Sequence, residues 1–526
     1  MKIFVADKIS ETGVDYLRSC DGIEVDFTPG LSQQEVTERL QDTDGLIVRS
    51  AVKVTREMIE SSPRLKVIGR AGIGVDNIDV EAATERGIVV LNTPDSNATT
   101  TAELAVAHLL SLSRNLPAAS ASVRASEWKR AQFMGREITG KTVGIIGFGT
   151  IGRIAASRFK GLQMNVVAYD PFVTTEKFEQ DGVEPKTLEE LLSISDYVSL
   201  HCPLIPPTQK LMNAERFAMM KPGAYLINCA RGGLVDEAAL IDALNSGQLA
   251  GAALDVFENE PPAESPLLDL SNVVFTPHLG ASTHEAQVAV GVAIARQLAD
   301  FLLHDEAINA INLPRIPKDI RRKLQPYLEL ARSLGRLLAA IAPSPLHVVK
   351  VEVHGQAAEL NPHPIAVETL VGLLADTMSV PVNSVNAESL AKRQGIGLTE
   401  SRSEEVHDYV SLVTVSGHYE GGEIQLTGTL LGEKHPRLVG VNDYEVESIL
   451  EGTILITRHT DQPGVIGAVG DALGGGDVNI TRMHVGESTT ENKAMAVIGI
   501  SSPLNEEIFA AVKVIPAIEH VCQVTL

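Results

Sequence analysis

The chain has 526 residues, a formal net charge of −23, 44% hydrophobic residues and only 4% aromatic residues. The acidic charge argues against nucleic acid as a partner, because phosphate backbones attract Lys and Arg. Its four cysteines include no CxxC pair, which argues against a disulfide framework or a structural zinc site, and we expect no bound metal.

The N-terminal residues MKIFVAD resemble a buried strand and show no signal-peptide pattern. No stretch of the sequence stands out as the run of roughly 18 apolar residues that spans a membrane. We therefore expect a cytoplasmic protein with no membrane partner, or one of the plastid stroma if a transit peptide has been removed.

Residues 1–97 alternate short apolar runs with segments of helical spacing, and the runs are KIFVAD, GLIVRS, LKVIGRAG and GIVVLNTP. This alternation predicts a parallel sheet covered by helices, which we expect to be a flavodoxin-like substrate domain. The long helical segment ASTHEAQVAVGVAIARQLADFLLHDE returns the chain to this domain. The substrate domain is thus predicted to be discontinuous, comprising residues 1–97 and 282–314.

A second α/β unit is predicted over residues 98–281. A helical stretch at 98–113 precedes the buried strands TVGIIGFG, NVVAYD, DYVSLHCPL, AYLINCARG, AGAALDVF and VVFTPH. This order predicts a doubly wound Rossmann domain inserted into the first domain.

The segment NLPRIPKDIRRKLQP has three prolines and a basic run, and it is predicted to be a linker. Residues 317–450 mix helical segments with alternating strands and predict a further α/β domain. Residues 452–526 follow the order strand, helix, strand, strand, helix, strand, which is typical of a ferredoxin-like fold.

The glycine motif Gly147-Phe148-Gly149-Thr150-Ile151-Gly152 lies between a predicted strand and a predicted helix. Gly147 permits a tight turn, Gly149 lets the backbone approach a pyrophosphate, and Gly152 lets the helix pack closely on the sheet. Asp170 follows the next strand, where a carboxylate accepts hydrogen bonds from ribose hydroxyls and repels a 2′-phosphate. The motif predicts an NAD site and favours NAD over NADP.

Three later segments place a polar residue directly after a buried strand. Arg231 follows AYLINC and can bind a carboxylate bidentately while it polarises a neighbouring carbonyl. His278 follows VVFTP, and histidine is the usual acid/base catalyst because its ordinary pKa lies near the working pH. A carboxylate beside this histidine would raise its pKa, and spacing alone leaves Glu258 and Glu260 as the two candidates.

Together the segments GRAGIGVDNID, GFGTIGR, NCARGGLVDE, GAALDVFENEPP and TPHLGAST resemble the D-isomer-specific 2-hydroxyacid dehydrogenase family, in its long form. The resemblance covers the whole chain. It implies NAD-dependent oxidation of 3-phospho-D-glycerate to 3-phosphohydroxypyruvate, the first step of the phosphorylated L-serine pathway. It also implies an intervening allosteric substrate-binding domain at 317–450 and an ACT regulatory domain at 452–526.

The resemblance implies Arg231, Glu260 and His278 as the catalytic residues, and so favours Glu260 over Glu258. The cofactor contacts that it implies, together with the glycines of the motif, are Thr150, Ile151, Asp170, Cys202, Cys229, Ala230, Arg231, Asp255, His278, Leu279, Gly280 and Ala281.

A phosphorylated substrate needs cationic contacts beyond Arg231. Arg49 and Arg70 end strands of the first domain, and we expect them, with Ser50 and Gly72 beside them, to bind the substrate. Arg130 resembles a residue that the family contributes from a neighbouring subunit, which implies a dimer or tetramer with an interface near Trp128.

In the last domain, the resemblance implies effector contacts from His459, Asp461 and Asn479, with L-serine as the expected effector. Two other functions are compatible with the resemblance: a glycerate/hydroxypyruvate reductase, and a nucleotide-sensing corepressor-like binding protein. The complete Arg, Glu and His set and the acidic composition argue against the corepressor.

Overall fold

The computed structural model describes residues 1–94, 96–314, 316, 318–378, 380–405 and 408–526. Within these ranges the strands form four sheets. The first is a five-stranded parallel sheet in the order β2-β1-β3-β4-β5, the flavodoxin-like order expected from the sequence. Its elements are β1 (Lys2–Val5), α1 (Glu11–Ser19), β2 (Glu24–Phe27), α2 (Gln33–Leu40), β3 (Gly45–Val48), α3 (Arg56–Glu60), β4 (Val67–Arg70), α4 (Val80–Glu85) and β5 (Val89–Leu91).

The second sheet has seven parallel strands in the order β12-β11-β10-β9-β6-β7-β8, which is the doubly wound Rossmann arrangement. Its central strands β6, β9, β10 and β11 are mostly apolar and are buried on both faces, whereas the edge strand β8 is exposed. Its elements are α5 (Ala98–Arg114), α6 (Leu116–Arg124), β6 (Thr142–Ile146), α7 (Thr150–Gly161), β7 (Asn165–Tyr169), α8 (Thr175–Gln180), β8 (Glu184–Pro185), α9 (Leu188–Ile194), β9 (Tyr197–Leu200), α10 (Ala214–Met219), β10 (Ala224–Asn228), α11 (Glu237–Asn245), β11 (Leu249–Leu254) and β12 (Val273–Phe275).

Helix α12 (His284–His304) leaves the second sheet and packs against α1, β3 and β4 of the first. By length and composition alone it is apolar enough to cross a membrane, although no such run stood out in the sequence. Val290, Ile294 and Leu298 belong instead to the hydrophobic core shared with Ile3 and Val67 of the first sheet. The helix therefore covers one face of that sheet.

The third sheet is mixed and has six strands in the order β14-β13-β15-β16-β17-β18. Two antiparallel-packed helices, α13 and α14, cover it and contribute to its core. Its elements are α13 (Lys318–Ile341), β13 (Leu346–Gly355), α14 (Pro362–Leu374), α15 (Ala387–Arg393), β14 (Gly397–Ser403), β15 (Ser411–Tyr419), β16 (Gly422–Leu431), β17 (His435–Val441) and β18 (Tyr444–Ile449).

The fourth sheet is antiparallel in the order β20-β21-β19-β22, and the ferredoxin-like prediction is confirmed. One face is covered by the two helices and the other contributes to the core of the third sheet. Its elements are β19 (Thr453–Thr460), α16 (Val465–Gly475), β20 (Ile480–Glu487), β21 (Lys493–Ile500), α17 (Glu506–Lys513) and β22 (Ile518–Thr525).

The predicted linker at 312–326 is partly wrong, because α13 begins at Lys318 and continues through Pro326. Proline removes one backbone hydrogen bond from a helix, which favours a break there. Leu324, Tyr327 and Leu330 lie on one face of the helix and are buried in the core of the third sheet. This burial outweighs the missing hydrogen bond. Positions 315 and 317 of the predicted linker lie outside the described residues.

Candidate active site

The predicted cofactor residues follow the strands of the second sheet at one common edge. The strands β6, β7, β10 and β11 each end immediately before such a residue, β9 ends two residues before Cys202, and β12 ends three residues before His278. All six strands are parallel. The edge therefore collects side chains and backbone amides that are far apart in the sequence, as open α/β sheets do at their ligand sites. The residues are Gly147, Gly149, Thr150, Ile151, Gly152, Asp170, Cys202, Cys229, Ala230, Arg231, Asp255, His278, Leu279, Gly280 and Ala281.

The glycine turn after β6 has the geometry that a dinucleotide requires. Gly147 has φ +94°, and a Cβ there would lie 2.6 Å from the backbone nitrogen of Cys202. A Cβ on Gly152 would lie 2.1 Å from the carbonyl oxygen of Gly147, so only glycine lets α7 pack this closely. A Cβ on Gly149 would meet nothing within 4 Å, which leaves open space at the N-terminus of α7. This open, positively polarised end of the helix fits a pyrophosphate.

Asp170 lies beside this turn and holds it in place. Its Oδ2 accepts a hydrogen bond from the backbone nitrogen of Phe148 at 2.8 Å, and its Oδ1 accepts one from Phe172 at 2.9 Å. The carboxylate thus lies next to the loop on which an adenosine ribose would rest. Burial raises the pKa of the nearby Cys202 thiol to about 11, so this thiol adds no charge to the cofactor site.

His278 and Glu260 form a hydrogen-bonded pair. His278 Nδ1 lies 2.7 Å from Glu260 Oε2, and Glu260 Oε1 also accepts a hydrogen bond from the backbone nitrogen of Phe257. The bond to Glu260 raises the pKa of His278 above its ordinary value, against the opposing effect of burial. Burial pushes the pKa of Glu260 up, but the hydrogen bond and charge of His278 outweigh it, so the pKa is lowered. The pair therefore favours imidazolium next to carboxylate.

Of the two acidic candidates, it is Glu260 that binds the histidine. Glu258 accepts a hydrogen bond from the backbone nitrogen of Glu237 and lies 3.6 Å from Lys210. These contacts connect Glu258 to the start of α11 rather than to His278.

The loop that carries His278 is held by Asp255, which is fully buried. Its Oδ1 accepts hydrogen bonds from the hydroxyl of Thr276 at 2.5 Å and from the backbone nitrogen of Leu279 at 2.7 Å. Its Oδ2 accepts one from the backbone nitrogen of Gly280 at 2.9 Å. His278 itself has φ +55°, a conformation that costs free energy for a residue with a Cβ. The bonds to Asp255 offset that cost and fix the direction of the imidazole.

Arg231 follows β10 and makes a contact that the sequence did not indicate. Its Nε lies 3.0 Å from Oδ2 of Asp76, a residue of the first domain, and its Nη1 donates to the carbonyl oxygen of Ala230 at 2.7 Å. Its charge opposes the rise that Glu260 causes in the pKa of His278 and adds to the lowering that His278 causes in the pKa of Glu260, so it is electrostatically coupled to the pair. The three predicted catalytic side chains therefore share one region.

The two glycines after Arg231 indicated a close backbone approach in the sequence, and the structure identifies the partners. A Cβ on Gly232 would lie 1.9 Å from the carbonyl oxygen of Phe257, and one on Gly233 would lie 2.9 Å from Leu204. The close approach is thus to neighbouring loops of the same domain. It brings the Arg231 loop against the segment that leads to Glu260.

A cleft of about 960 Å³ lies between the first two sheets and contains the histidine pair. Arg49, Ser50 and Arg70 line it from the first domain, and Glu260, His278 and Ala281 line it from the second. Burial, together with the charges of Arg231 and Arg49, lowers the pKa of Arg70 to about 10. Repulsion among like charges of this kind is relieved by a bound anion.

Arg70 also lies unusually close to its own loop. Its Nη1 donates to the carbonyl oxygen of Ala71, and a Cβ on Gly72 would lie 1.5 Å from that nitrogen. Its buried Nε has no hydrogen-bond partner among the described residues. Gly72 was predicted to contact the substrate. Because it has no Cβ, it makes room for the guanidinium of Arg70.

Arg130 is not among the described residues that line the cleft, and it lies on an exposed 3-10 turn at Arg130–Phe133. The neighbouring Trp128 and Met134 are 78% and 84% exposed, which is unusual for large apolar side chains. The placement is compatible with the predicted subunit interface.

The predicted effector residues lie at opposite ends of the fourth sheet: His459 and Asp461 are at the end where Thr460 pairs with Lys493, and Asn479 is at the end where Ile480 pairs with Ile500. His459 is buried near the end of β19, and burial lowers its pKa. Asp461 and Asn479 are exposed, and the backbone nitrogen of Asn479 donates to the hydroxyl of Ser501.

Several residues of the site were missed in the sequence. Asp7, which is 5% exposed, accepts hydrogen bonds from the backbone nitrogens of Arg49 and Val52. Asn77 donates to the carbonyl oxygens of the same two residues. Both side chains fix the loop that carries Arg49, and Lys8 lines the cleft beside it. Asp7 and Lys8 could have been found from their position just after β1, the kind of position that indicated Arg49 after β3. Asn77 lies seven positions after the end of β4, and no sequence signal identified it.

Comparison with known proteins identifies the family to which this fold belongs. Residues 106–280 match the NAD binding domain of the D-isomer specific 2-hydroxyacid dehydrogenases, and residues 323–442 match the D-3-phosphoglycerate dehydrogenase intervening domain. The chain is 41% identical to the D-3-phosphoglycerate dehydrogenase of Synechocystis sp., over all of this chain and 95% of that protein. It is 40% identical to the enzyme of the same name from Methanocaldococcus jannaschii, over 100% of both chains.

Among solved structures, the chain resembles D-lactate dehydrogenase from Aquifex aeolicus complexed with NAD and lactic acid. The TM-score is 0.54 at 28% identity, covering 60% of this chain and 100% of that one. The fold and site define an NAD-dependent oxidoreductase. The chain belongs to the D-isomer specific 2-hydroxyacid dehydrogenase family.

Proposed function

We propose that this enzyme oxidises 3-phospho-D-glycerate to 3-phosphohydroxypyruvate with NAD. The observation that carries the proposal is the His278–Glu260 pair in a cleft that also contains Arg49 and Arg70. The pair supplies acid/base chemistry for a hydroxyl group, and the two arginines supply a site for a further anionic group. Full-length similarity to enzymes named D-3-phosphoglycerate dehydrogenase supports the same substrate.

His278 acts as the general base in the direction of oxidation. Its Nδ1 is bonded to Glu260, so Nε2 is the nitrogen that remains to take the proton of the C2 hydroxyl. As this proton arrives, the ring becomes an imidazolium, and the carboxylate of Glu260 stabilises the new charge. NAD, when bound, supplies the acceptor for the hydride that leaves C2. In the reverse direction, the raised pKa of His278 keeps the proton available for the oxygen of the keto acid.

Arg231 binds the substrate carboxylate and stabilises negative charge on the C2 oxygen. Its side chain is only 29% exposed, which strengthens its interaction with an anion relative to a surface arginine. Arg49 and Arg70, which line the cleft from the first domain, bind the 3-phosphate with Ser50 and Gly72 beside them, whereas Arg231 is not among the described residues that line the cleft. The substrate then spans the two domains with its reacting carbon beside the histidine.

The cofactor site comprises the glycine turn, Asp170, and the residues that follow β9 to β12. The pyrophosphate would rest on the backbone of Gly149 and Thr150 at the start of α7, where no side chain intervenes. Asp170 would accept hydrogen bonds from the ribose and repel a 2′-phosphate, which selects NAD.

Comparing two substrates tests the proposal. Initial rates of NADH formation are measured with 3-phospho-D-glycerate and with D-glycerate, at saturating NAD. The proposal predicts a higher kcat/KM for the phosphorylated substrate. A preference for D-glycerate would contradict it and would favour the glycerate/hydroxypyruvate reductase.

The wider setting of the reaction is also proposed. The product would enter the phosphorylated pathway to L-serine, in the cytoplasm or the plastid stroma. The fourth sheet would act as an ACT domain that binds L-serine between paired domains, with His459 and Asp461 contributed by one domain and Asn479 by the other. Arg130 would reach a neighbouring subunit of a homotetramer or dimer. We also propose the division of the chain into a substrate domain, a Rossmann domain, an intervening domain and an ACT domain at the predicted boundaries. Titration of activity with L-serine, together with a measurement of mass in solution, tests this regulatory scheme.

A further inference from the structure

The guanidinium of Arg231 is seated against a loop of the opposite domain. This loop runs from the end of β4 to the start of α4 and contains Gly74 and Asp76. Asp76 Oδ2 lies 3.0 Å from Arg231 Nε. A Cβ on Gly74 would lie 1.9 Å from Nη2 and 2.9 Å from Cζ of the arginine, so the guanidinium occupies the space that a side chain would take.

The remaining contact of Arg231 lies on its own domain, where Nη1 donates to the carbonyl oxygen of Ala230. The guanidinium of Arg231 is thus held by both domains, through the carbonyl oxygen of Ala230 on its own domain and through the carboxylate of Asp76 on the other. Because Arg231 follows a strand of the second sheet and Asp76 a strand of the first, the contact with Asp76 exists only when the two domains lie this close together.

The same loop also reaches the other cationic wall of the cleft. Asn77, next to Asp76, donates hydrogen bonds to the carbonyl oxygens of Arg49 and Val52. One short segment therefore contacts both the arginine of the Rossmann domain and the loop that carries Arg49. A shift of this segment would move both groups relative to each other.

We propose that Gly74 and Asp76 form a socket on the first domain that positions the guanidinium of Arg231 for the substrate carboxylate. Asp76 is a positioning residue in this scheme, because it acts through Arg231 and touches neither the hydroxyl nor the cofactor. The socket couples closure of the cleft to the orientation of Arg231. This inference rests on the role proposed for Arg231.

Two substitutions perturb the socket in different ways: one deletes the acceptor, and the other fills the space that the guanidinium occupies. Asp76→Ala deletes the acceptor, and its effect is moderate because the Asp76 side chain is 67% exposed and the ion pair is screened by water. Gly74→Ala adds a Cβ that would lie 1.9 Å from Nη2 of Arg231 and 2.7 Å from Oδ2 of Asp76, so it displaces both partners of the ion pair. Gly74 has no left-handed φ that would strain an alanine. Displacing a substrate-binding group by about 1 Å costs up to about 10²-fold in rate.

The test is a double-mutant cycle with Arg231→Ala. Single-turnover NADH formation, with enzyme in excess over 3-phospho-D-glycerate, measures even slow variants. We expect Asp76→Ala to slow the reaction about threefold to tenfold and Gly74→Ala about tenfold to 100-fold. Asp76→Asn keeps an acceptor oxygen and should recover part of the loss. In the Arg231→Ala background, both substitutions should change the rate less than about twofold, because the partner is gone.

Calorimetric titration with oxalate gives a readout that does not depend on turnover. The affinity for this carboxylate probe should fall in Asp76→Ala and should not fall further when Arg231→Ala is already present. Glu81→Gln, which removes an exposed carboxylate from the first turn of α4, is the matched control and should change neither measurement.

Equal effects of Asp76→Ala and Gly74→Ala with and without Arg231 would overturn the socket, since they would then act on the loop alone. A wild-type rate in the Arg231→Ala single variant would instead remove the role proposed for Arg231 itself. The two failures are therefore distinguished within one set of proteins.

Discussion

Replacing Asp255 with Asn should disable the enzyme through the backbone of the His278 loop. The carboxylate accepts three hydrogen bonds, two on Oδ1 and one on Oδ2, and it is fully buried. An amide has one oxygen, so in either orientation at least one of these donors faces an NH₂ group and loses its acceptor. A buried donor without a partner costs about 1–3 kcal/mol.

This loss of hydrogen bonding favours a different conformation of the loop, in which His278 no longer has its φ of +55°. If this cost appears in full in the free energy of activation, kcat/KM falls about fivefold to 150-fold, because about 1.4 kcal/mol corresponds to each factor of ten in rate. The assay is NADH formation at saturating NAD, which separates the effect on the loop from any change in cofactor affinity. Thermal unfolding of the same samples reports the accompanying loss of stability.

Asp44→Asn is the matched control, because Asp44 is also a buried carboxylate that accepts a backbone hydrogen bond, from Lys2 at 2.8 Å. It lies in the first sheet and binds Arg64, away from the cleft. This variant should lose stability and keep its turnover. Wild-type kcat/KM in Asp255→Asn, or an equal loss of turnover in Asp44→Asn, would refute the reasoning.

Three further outcomes are expected. Glu260→Gln removes the group that raises the pKa of His278, so the acid limb of kcat/KM for oxidation should move to lower pH; an unmoved limb would assign that titration to another group. Arg49→Ala and Arg70→Ala should raise KM for 3-phospho-D-glycerate more than KM for D-glycerate, and an equal effect on both would exclude a phosphate site there. Gly149→Val places a side chain in open space, so the melting temperature should be unchanged while NAD affinity falls at least about tenfold; unchanged affinity would show that the cofactor does not cross this turn.

The sheets were predictable because their local sequence and their burial agree. Runs such as TVGII and AYLIN are mostly apolar, as is typical of strands buried on both faces, and they form β6 and β10. The glycine turn was predictable because the tight turn, the space for the pyrophosphate and the close packing of the helix each require a residue without a Cβ at a fixed position in the motif. Residues that follow such strands then fall at one edge of the sheet without further information.

Other features depend on contacts between distant segments, which local sequence does not reveal. Asp76 lies 155 positions before Arg231, and only the arrangement of the two domains brings them together. Spacing could not separate Glu258 from Glu260, since the choice depends on where the loop after β11 passes His278. Pro326 indicated a linker, yet the burial of Leu324 and Leu330 in a distant core makes that segment helical.

The measurement that tests the central claim most directly is the rate of NADH formation from 3-phospho-D-glycerate and NAD by the wild-type protein and by His278→Ala. We predict NADH in equal amount to 3-phosphohydroxypyruvate with the wild type, and a kcat lower by about 10²–10⁴ in the variant with NAD binding retained. No NADH from the wild type, or an unchanged rate in His278→Ala, would contradict the assignment of the proton transfer to this imidazole.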